Sequence, residues 1–173
     1  INNGVQEANG VEYWCKSEEE ILKDLQRGAY IEAAIIHDQQ VSGTSVKEIQ
    51  RAENANKIAI NDVQPNGVDA FKALKPDTIC IFVIPPTFNT WIDRINIRGT
   101  MSADELLRRL QSARAEIEHA LKADFYHYIV NDDLSQAVQL ADKICNGTAV
   151  DTSDARTTAQ DLLVSINEYL KTV

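Results

Sequence analysis

Two rhythms of apolar and polar residues divide this chain near Lys57. Ahead of it the runs are short and mixed. Residues 11–14 predict a brief strand with aromatic character. Ser17-Glu18-Glu19-Glu20 has the spacing of a capping box, in which a hydroxyl and a carboxylate three residues apart satisfy free amides at a helix start. The helix it opens carries Ile21, Leu22 and Leu25 as an apolar stripe and closes at Arg27-Gly28. Residues 30–37 form a β-prone run that Asp38-Gln39-Gln40 interrupts, which predicts a hairpin returning through Val41. Ser45 and Glu48 repeat the capping-box spacing and predict a short helix through about Glu53.

After Lys57 the pattern lengthens. Residues 58–60 and 78–84 are continuous apolar runs, the signature of buried parallel strands, and the second must stop where Pro85-Pro86 removes the amide donors. Val68, Phe71, Ala73 and Leu74 predict a crossover helix between them. Ser102 to Glu105 is a third capping box, opening the strongest helical pattern in the chain, with Leu106, Leu107, Leu110, Ala113, Ile117, Ala120 and Leu121 at helical spacing. Residues 126–130 predict a strand. Leu134, Ala137, Val138, Ala141 and Ile144 predict a helix that Asn146-Gly147 ends, and Ala159, Leu162, Leu163, Ile166 and Leu170 mark a last one after Ser153-Asp154. Strands alternating with helices imply an α/β fold with a parallel core sheet.

At 173 residues and 44% hydrophobic composition, the chain has the material for one domain with a real core. Its net charge of -9 argues against a nucleic-acid partner, which asks for a basic face. Cys15, Cys80 and Cys145 have neither metal-ligand spacing nor an even number to pair, the pattern of reduced thiols in a cytoplasmic protein. His37, His119 and His127 share no metal spacing either, so no protein metal site is expected. No apolar run reaches the length of a membrane span.

Against this acidic background, Arg94, Arg98 and Arg109 stand in one loop and its flanking helices, followed by Asn131-Asp132-Asp133. A guanidinium is always charged and offers a planar fork of donors that fits phosphate oxygens. Phosphoryl transfer asks mainly for positioning and charge stabilisation, which arginines on a closing loop supply. Taken alone, Asp132 and Asp133 read as caps of the next helix, Tyr13 beside Trp14 reads equally as core packing, and Trp91 as an apolar anchor.

In order and spacing, Arg94-x-x-x-Arg98-Gly99-Thr100, Arg109-Leu110 and Val130-Asn131-Asp132-Asp133-Leu134 resemble the lid and adenine-side segment of guanylate kinases. The likeness runs from about Glu7 to Lys143. Gly10-Val11-Glu12-Tyr13 is similar to the family's G-x-x-Y, Tyr30-Ile31-Glu32 to its F-x-E, Gly43-Thr44-Ser45 to its G-T-S turn, and Asp62-Val63-Gln64 to the end of its D-x-D-x-Q. The resemblance implies that Tyr13 contacts the GMP phosphate, Thr44 the base edge, and that Asp62 serves as a base-side or metal-side group. Glu32 would read guanine, one carboxylate accepting from N1–H and the 2-amino group, a donor pair adenine lacks. On the ATP side it implies Arg94 over adenine, Arg98 and Arg109 on the transferring phosphate, and Asn131 at the adenine edge. ATP and Mg²⁺ follow as the implied co-substrate and cation, GMP and ATP as the small-molecule partners, and a homodimer is left open.

The implied architecture is a P-loop-kinase-like parallel core sheet with flanking helices, a small mixed-β GMP-binding subdomain and an arginine-bearing lid, the first strand and phosphate loop missing. Within one domain over residues 1–173, the expected parts are the GMP subdomain (7–56), the core (57–93 and 123–150), the lid with its following helix (94–122) and a C-terminal helical extension (151–173).

The sequence departs from the family pattern in places. No G-x-x-x-x-G-K-[ST] phosphate loop occurs in it. Ile1 and Gly4 stand where two phosphate-gripping arginines are expected, Ser42 replaces a tyrosine, and Ile60 replaces the first aspartate of D-x-D. Each lost charged hydrogen bond is worth about 1.5–3 kcal/mol, so the GMP phosphate site is depleted while the lid is intact. Residues 58–60 and 78–84 are too apolar for a bare sheet edge, from which an upstream segment of roughly 35–45 residues, one strand, loop and helix, is expected in a parent protein. Two functions follow: phosphorylation of GMP by ATP in that parent, this chain being inactive alone, or a guanylate-kinase-like binding module that has lost turnover.

Overall fold

The computed structural model describes residues 8–10, 13–36, 40–97, 99 and 101–172. It divides into two units, residues 1–74 and 75–173.

In the first unit, helix α1 (Glu18–Gln26) starts at the expected capping box: Ser17 accepts the Glu20 amide while the Glu20 carboxylate takes the Ser17 amide at 2.8 Å. It ends at Arg27, and Gly28 takes a φ of 66° that a side chain would resist. The expected apolar stripe is not what this helix buries. Leu22 and Leu25 are exposed, and the buried residue is Asp24, 6% exposed. Its carboxylate is compensated by Lys16, by Arg27 at 2.5 Å and by the Tyr30 hydroxyl at 3.5 Å. The Lys16 hydrogen bond, then the Arg27 charge, hold the Asp24 carboxyl below its ordinary range in spite of burial. A depressed folded-state value means stability that is present above the unfolded value of about 3.9 and lost as pH falls through the folded one. Asp24→Asn is therefore expected to flatten the acid limb of the stability curve, read by thermal melts taken from about pH 7 down to pH 2.

Strands β1 (Tyr30–Ile36) and β2 (Gln40–Ser45) pair antiparallel with Ala33 opposite Gly43 and Glu32 opposite Thr44. The hairpin is as expected; its turn lies outside the described residues. A Cβ on Gly43 would stand 2.6 Å from the Glu32 carbonyl oxygen, so only glycine permits this approach. A separate parallel bridge joins Asn9 and Tyr13 where a short strand was expected; Val11 and Glu12 lie outside the described residues. Helix α2 (Val46–Asn54) follows, but its second capping box does not form: Ser45 makes no side-chain cap, and Glu48 pairs with Arg51 at 2.8 Å instead.

Residues 58–60 are not a strand. Ile58 is 60% and Ile60 87% exposed, and the segment runs irregularly to helix α3 (Pro65–Leu74). Its ends are tied locally, which competes with a ladder. The Lys57 amide turns back to the Ala52 carbonyl at 2.9 Å, and the Asn61 side chain takes the Asp62 amide at 3.0 Å. Helix α3 packs on β1 and buries Gly67 and Phe71.

In the second unit, β3 (Cys80–Ile84) and β4 (Tyr126–Val130) form a parallel pair, with Ile84 opposite Val130. Between them come α4 (Phe88–Ile97) and α5 (Ala103–Lys122), the crossover that a parallel pair requires. Helices α6 (Leu134–Cys145) and α7 (Ser153–Leu170) follow, and both pack on β4. Ile129 packs with Ala137 and Ile144 of α6. Helix α7 also lies along α5, and the two supply Leu110, Ala120, Ala159 and Ile166, all fully buried. Arg156 of α7 donates to the Leu121 carbonyl at 2.6 Å and stacks over the Tyr128 ring. Leu110, Ile117, Ala137, Ile144, Ala159, Leu162 and Ile166 face inward as expected, whereas Leu134 and Val138 of α6 do not, being 68% and 58% exposed.

Candidate nucleotide site

Antiparallel pairing puts Glu32 and Thr44 on facing positions of β1 and β2, where side chains on one sheet face meet. The Thr44 hydroxyl donates to Glu32 Oε1 at 2.8 Å. On its other side Thr44 accepts from Asn61 Nδ2. The Glu32 side chain lies against the first turn of α3, where a Cβ on Gly67 would come within 3.3 Å of Glu32 Cγ and 3.4 Å of Oε2. The structure thus brings two of the sequence-predicted GMP residues into direct contact. Asp62 follows Asn61 in the same segment and is exposed. Tyr13 is 51% and Trp14 58% exposed, so core packing does not explain this aromatic pair.

The ATP-side candidates belong to the second unit. Arg94, in the last turn of α4, donates to the Asn131 carbonyl at 2.6 Å and the Asp132 carbonyl at 3.3 Å, with the Asp132 carboxylate 3.8 Å away. One guanidinium fork therefore ties the end of α4 to the turn after β4. Asn131 is held there as well, its amide donating to the Ile84 carbonyl at 2.8 Å. Asp133 caps α6 by accepting the Gln136 amide at 2.8 Å, the role its position suggested. Arg109 is exposed and pairs within its own helix, its Nε donating to Glu105 Oε1 at 3.1 Å. Arg98 and Thr100 lie outside the described residues.

The sequence reading passed over two residues. Glu105 stood there only as the far member of a capping box. Ser102 does accept its amide, at 3.2 Å, but the carboxylate faces Arg108 at 2.7 Å and Arg109. Those two guanidinium groups hold the Glu105 carboxyl below its ordinary range. Arginine three and four residues downstream of a glutamate was the signal available. Asn61 is the other, and its signal was weaker: an amide side chain beside Asp62, just past the 58–60 run read as an apolar strand.

Among the described residues no three histidine, cysteine or acidic side chains converge as a metal cage.

The guanylate kinase family profile matches residues 2–146. The chain belongs to the guanylate kinase family. It is 36% identical over 140 residues to a guanylate kinase of Schizosaccharomyces pombe, covering 80% of this chain and 69% of that protein. A guanylate kinase of Corynebacterium efficiens is 32% identical over 143 residues, covering 82% of this chain and 74% of that protein. Against guanylate kinase 1 of rice, Oryza sativa, the match is 31% over 140 residues and spans only 36% of the relative. Among solved structures, a guanylate kinase from Anaplasma phagocytophilum superposes with a TM-score of 0.61 over 95% of this chain and 78% of that one, at 22% identity, a likeness of fold. The α/β architecture with a parallel pair and flanking helices is thus a guanylate kinase fold. Among the described residues no helix is long and apolar enough to cross a membrane.

Proposed function

We propose that this chain supplies the GMP-binding and lid portions of an ATP:GMP phosphotransferase. The observation that carries the reading is the Glu32–Thr44 pair, a carboxylate and a hydroxyl bonded across facing strands. A carboxylate there presents two acceptors to the N1–H and 2-amino donors of guanine. Tyr13 and Asp62 are assigned to the same nucleotide. Arg94, Arg98, Arg109 and Asn131 are assigned to ATP, with Arg94 and Asn131 already in contact. In the reaction a GMP phosphate oxygen attacks the γ-phosphorus of ATP and the bond to the ADP oxygen breaks. No side-chain nucleophile is required; the protein contributes alignment and positive charge. Bound Mg²⁺ would neutralise phosphate charge. The parts take the boundaries set out above: GMP subdomain 7–56, core 57–93 and 123–150, lid and its helix 94–122, and extension 151–173.

Phosphoryl transfer in this fold class depends on a phosphate loop, and these 173 residues hold no such motif. A longer form of the protein carrying one is therefore the active species in this reading. Ser42 in the place of a tyrosine favours the second reading, a nucleotide- or protein-binding module without turnover. Coupled ADP release with GMP decides between them. The expected result is no release from the 173-residue chain and GMP-dependent release from the longer form. Turnover by the chain itself would refute the dependence on a phosphate loop, and silence of the longer form would leave the module.

A further inference from the structure

One side chain of the first unit that the assignments above leave unused has both ends committed. Asn61 Oδ1 accepts the Asp62 amide at 3.0 Å, and Asn61 Nδ2 donates to Thr44 Oγ1. These bonds fix the orientation of the carboxamide. A backbone N–H can only donate, so the oxygen must face Asp62 and the NH₂ group must face Thr44. With one lone pair taken by Asn61, the Thr44 hydroxyl sends its proton to Glu32 Oε1 at 2.8 Å. Donors and acceptors from the Asp62 amide through Asn61 and Thr44 therefore all point one way, and the series ends on a carboxylate.

We propose that Asn61 is a positioning residue for purine selection, acting through Thr44 and Glu32. This rests on reading Glu32 as the group that meets guanine. A hydroxyl whose proton is committed to Glu32 has only a lone pair to offer a base. Guanine presents donors on the edge concerned, N1–H and the 2-amino group, and an acceptor suits them. Adenine presents the N1 lone pair there and would need a donor. By committing the Thr44 proton, Asn61 removes a donor adenine could use, which is selection by leaving the wrong partner unpaired.

Asn61→Asp keeps an acceptor for the Asp62 amide and turns another toward Thr44, so the hydroxyl gives its proton to residue 61 instead of Glu32 and still has none for a base. Asn61→Ala leaves the hydroxyl free to rotate. NMR titrations of the 173-residue chain with GMP and with AMP read dissociation constants into the millimolar range. The ratio of the two affinities is expected to fall about tenfold in Asn61→Ala, the span of one hydrogen bond partly open to water, and by less than about threefold in Asn61→Asp, where the proton stays committed. A scaffolding role for Asn61 would weaken both nucleotides alike and leave the ratio fixed, which overturns the proposal. An unchanged ratio in both Asn61 variants, with Glu32→Gln still narrowing it, overturns it too while sparing the reading of Glu32. A wild-type chain that prefers neither nucleotide, or a Glu32→Gln variant that keeps the preference, removes the reading underneath.

Discussion

Replacing Glu32 by Gln is expected to reduce the preference for GMP over AMP by about a hundredfold, nearly all of it through weaker GMP binding. The side chain keeps its shape, so the Thr44 contact and the packing against Gly67 have no steric reason to change. What changes is chemistry at two oxygens. A carboxylate accepts from both guanine donors, whereas the amide accepts from one and confronts the other with its own NH₂. One charged hydrogen bond is lost and a donor faces a donor, together about 2.5–3 kcal/mol. AMP makes neither bond, so its affinity is expected to move by less than about threefold. Equilibrium titration of wild type and variant with both nucleotides measures the ratio directly. An unchanged ratio would mean that another group reads the base.

Leu110→Ala is expected to be the most damaging truncation in the second unit. Leu110 is completely buried in the face of α5 that meets α7, where Ala159 and Ile166 are also fully buried. Removing its branched end loses the transfer free energy of three carbons and leaves a cavity that two packed helices close only in part, about 3 kcal/mol. In a molecule of this size that lowers the melting temperature by about 10 °C. Leu134→Ala is the matched control, because Leu134 is 68% exposed and its truncation is expected to cost under about 0.5 kcal/mol. Thermal unfolding followed by circular dichroism separates the two, and equal shifts would show that the α5–α7 seam is not where the unit stores its stability.

How far the fold was legible depended on the range of the interactions that decide each element. The long helices α5, α6 and α7 follow from periodic apolar positions and local caps, and Leu110, Ile117, Ala137, Ile144, Ala159 and Ile166 are buried as their spacing required. The hairpin of β1 and β2 was equally plain. Residues 58–60 were not, because an apolar run states only what a segment could bury. Whether it pairs depends on a neighbouring strand and on competing local bonds, here those of Lys57 and Asn61. Helix α1 misled for a related reason. Its buried position is an aspartate whose partners, Lys16, Arg27 and Tyr30, sit at spacings that no amphipathic template weighs.

The site shows the same division. Glu32, Thr44, Arg94 and Asn131 could be named from family likeness, and the structure adds which of them touch: Glu32 with Thr44, Arg94 with Asn131. What likeness could not reveal is how other side chains steer them. Asn61 orients a hydroxyl from another segment, and Glu105 holds Arg109 from one helical turn away. Such links depend on which rotamer faces which partner, and sequence order carries little of that.

The family profile stops at residue 146, yet α7 begins only at Ser153. The helix that closes over Leu110 and clasps Leu121 through Arg156 thus lies wholly outside the part by which the chain's kinship is recognised. Kinship and foldability have different borders in this molecule. A recombinant piece trimmed to the recognisable region would forfeit one wall of its own interior.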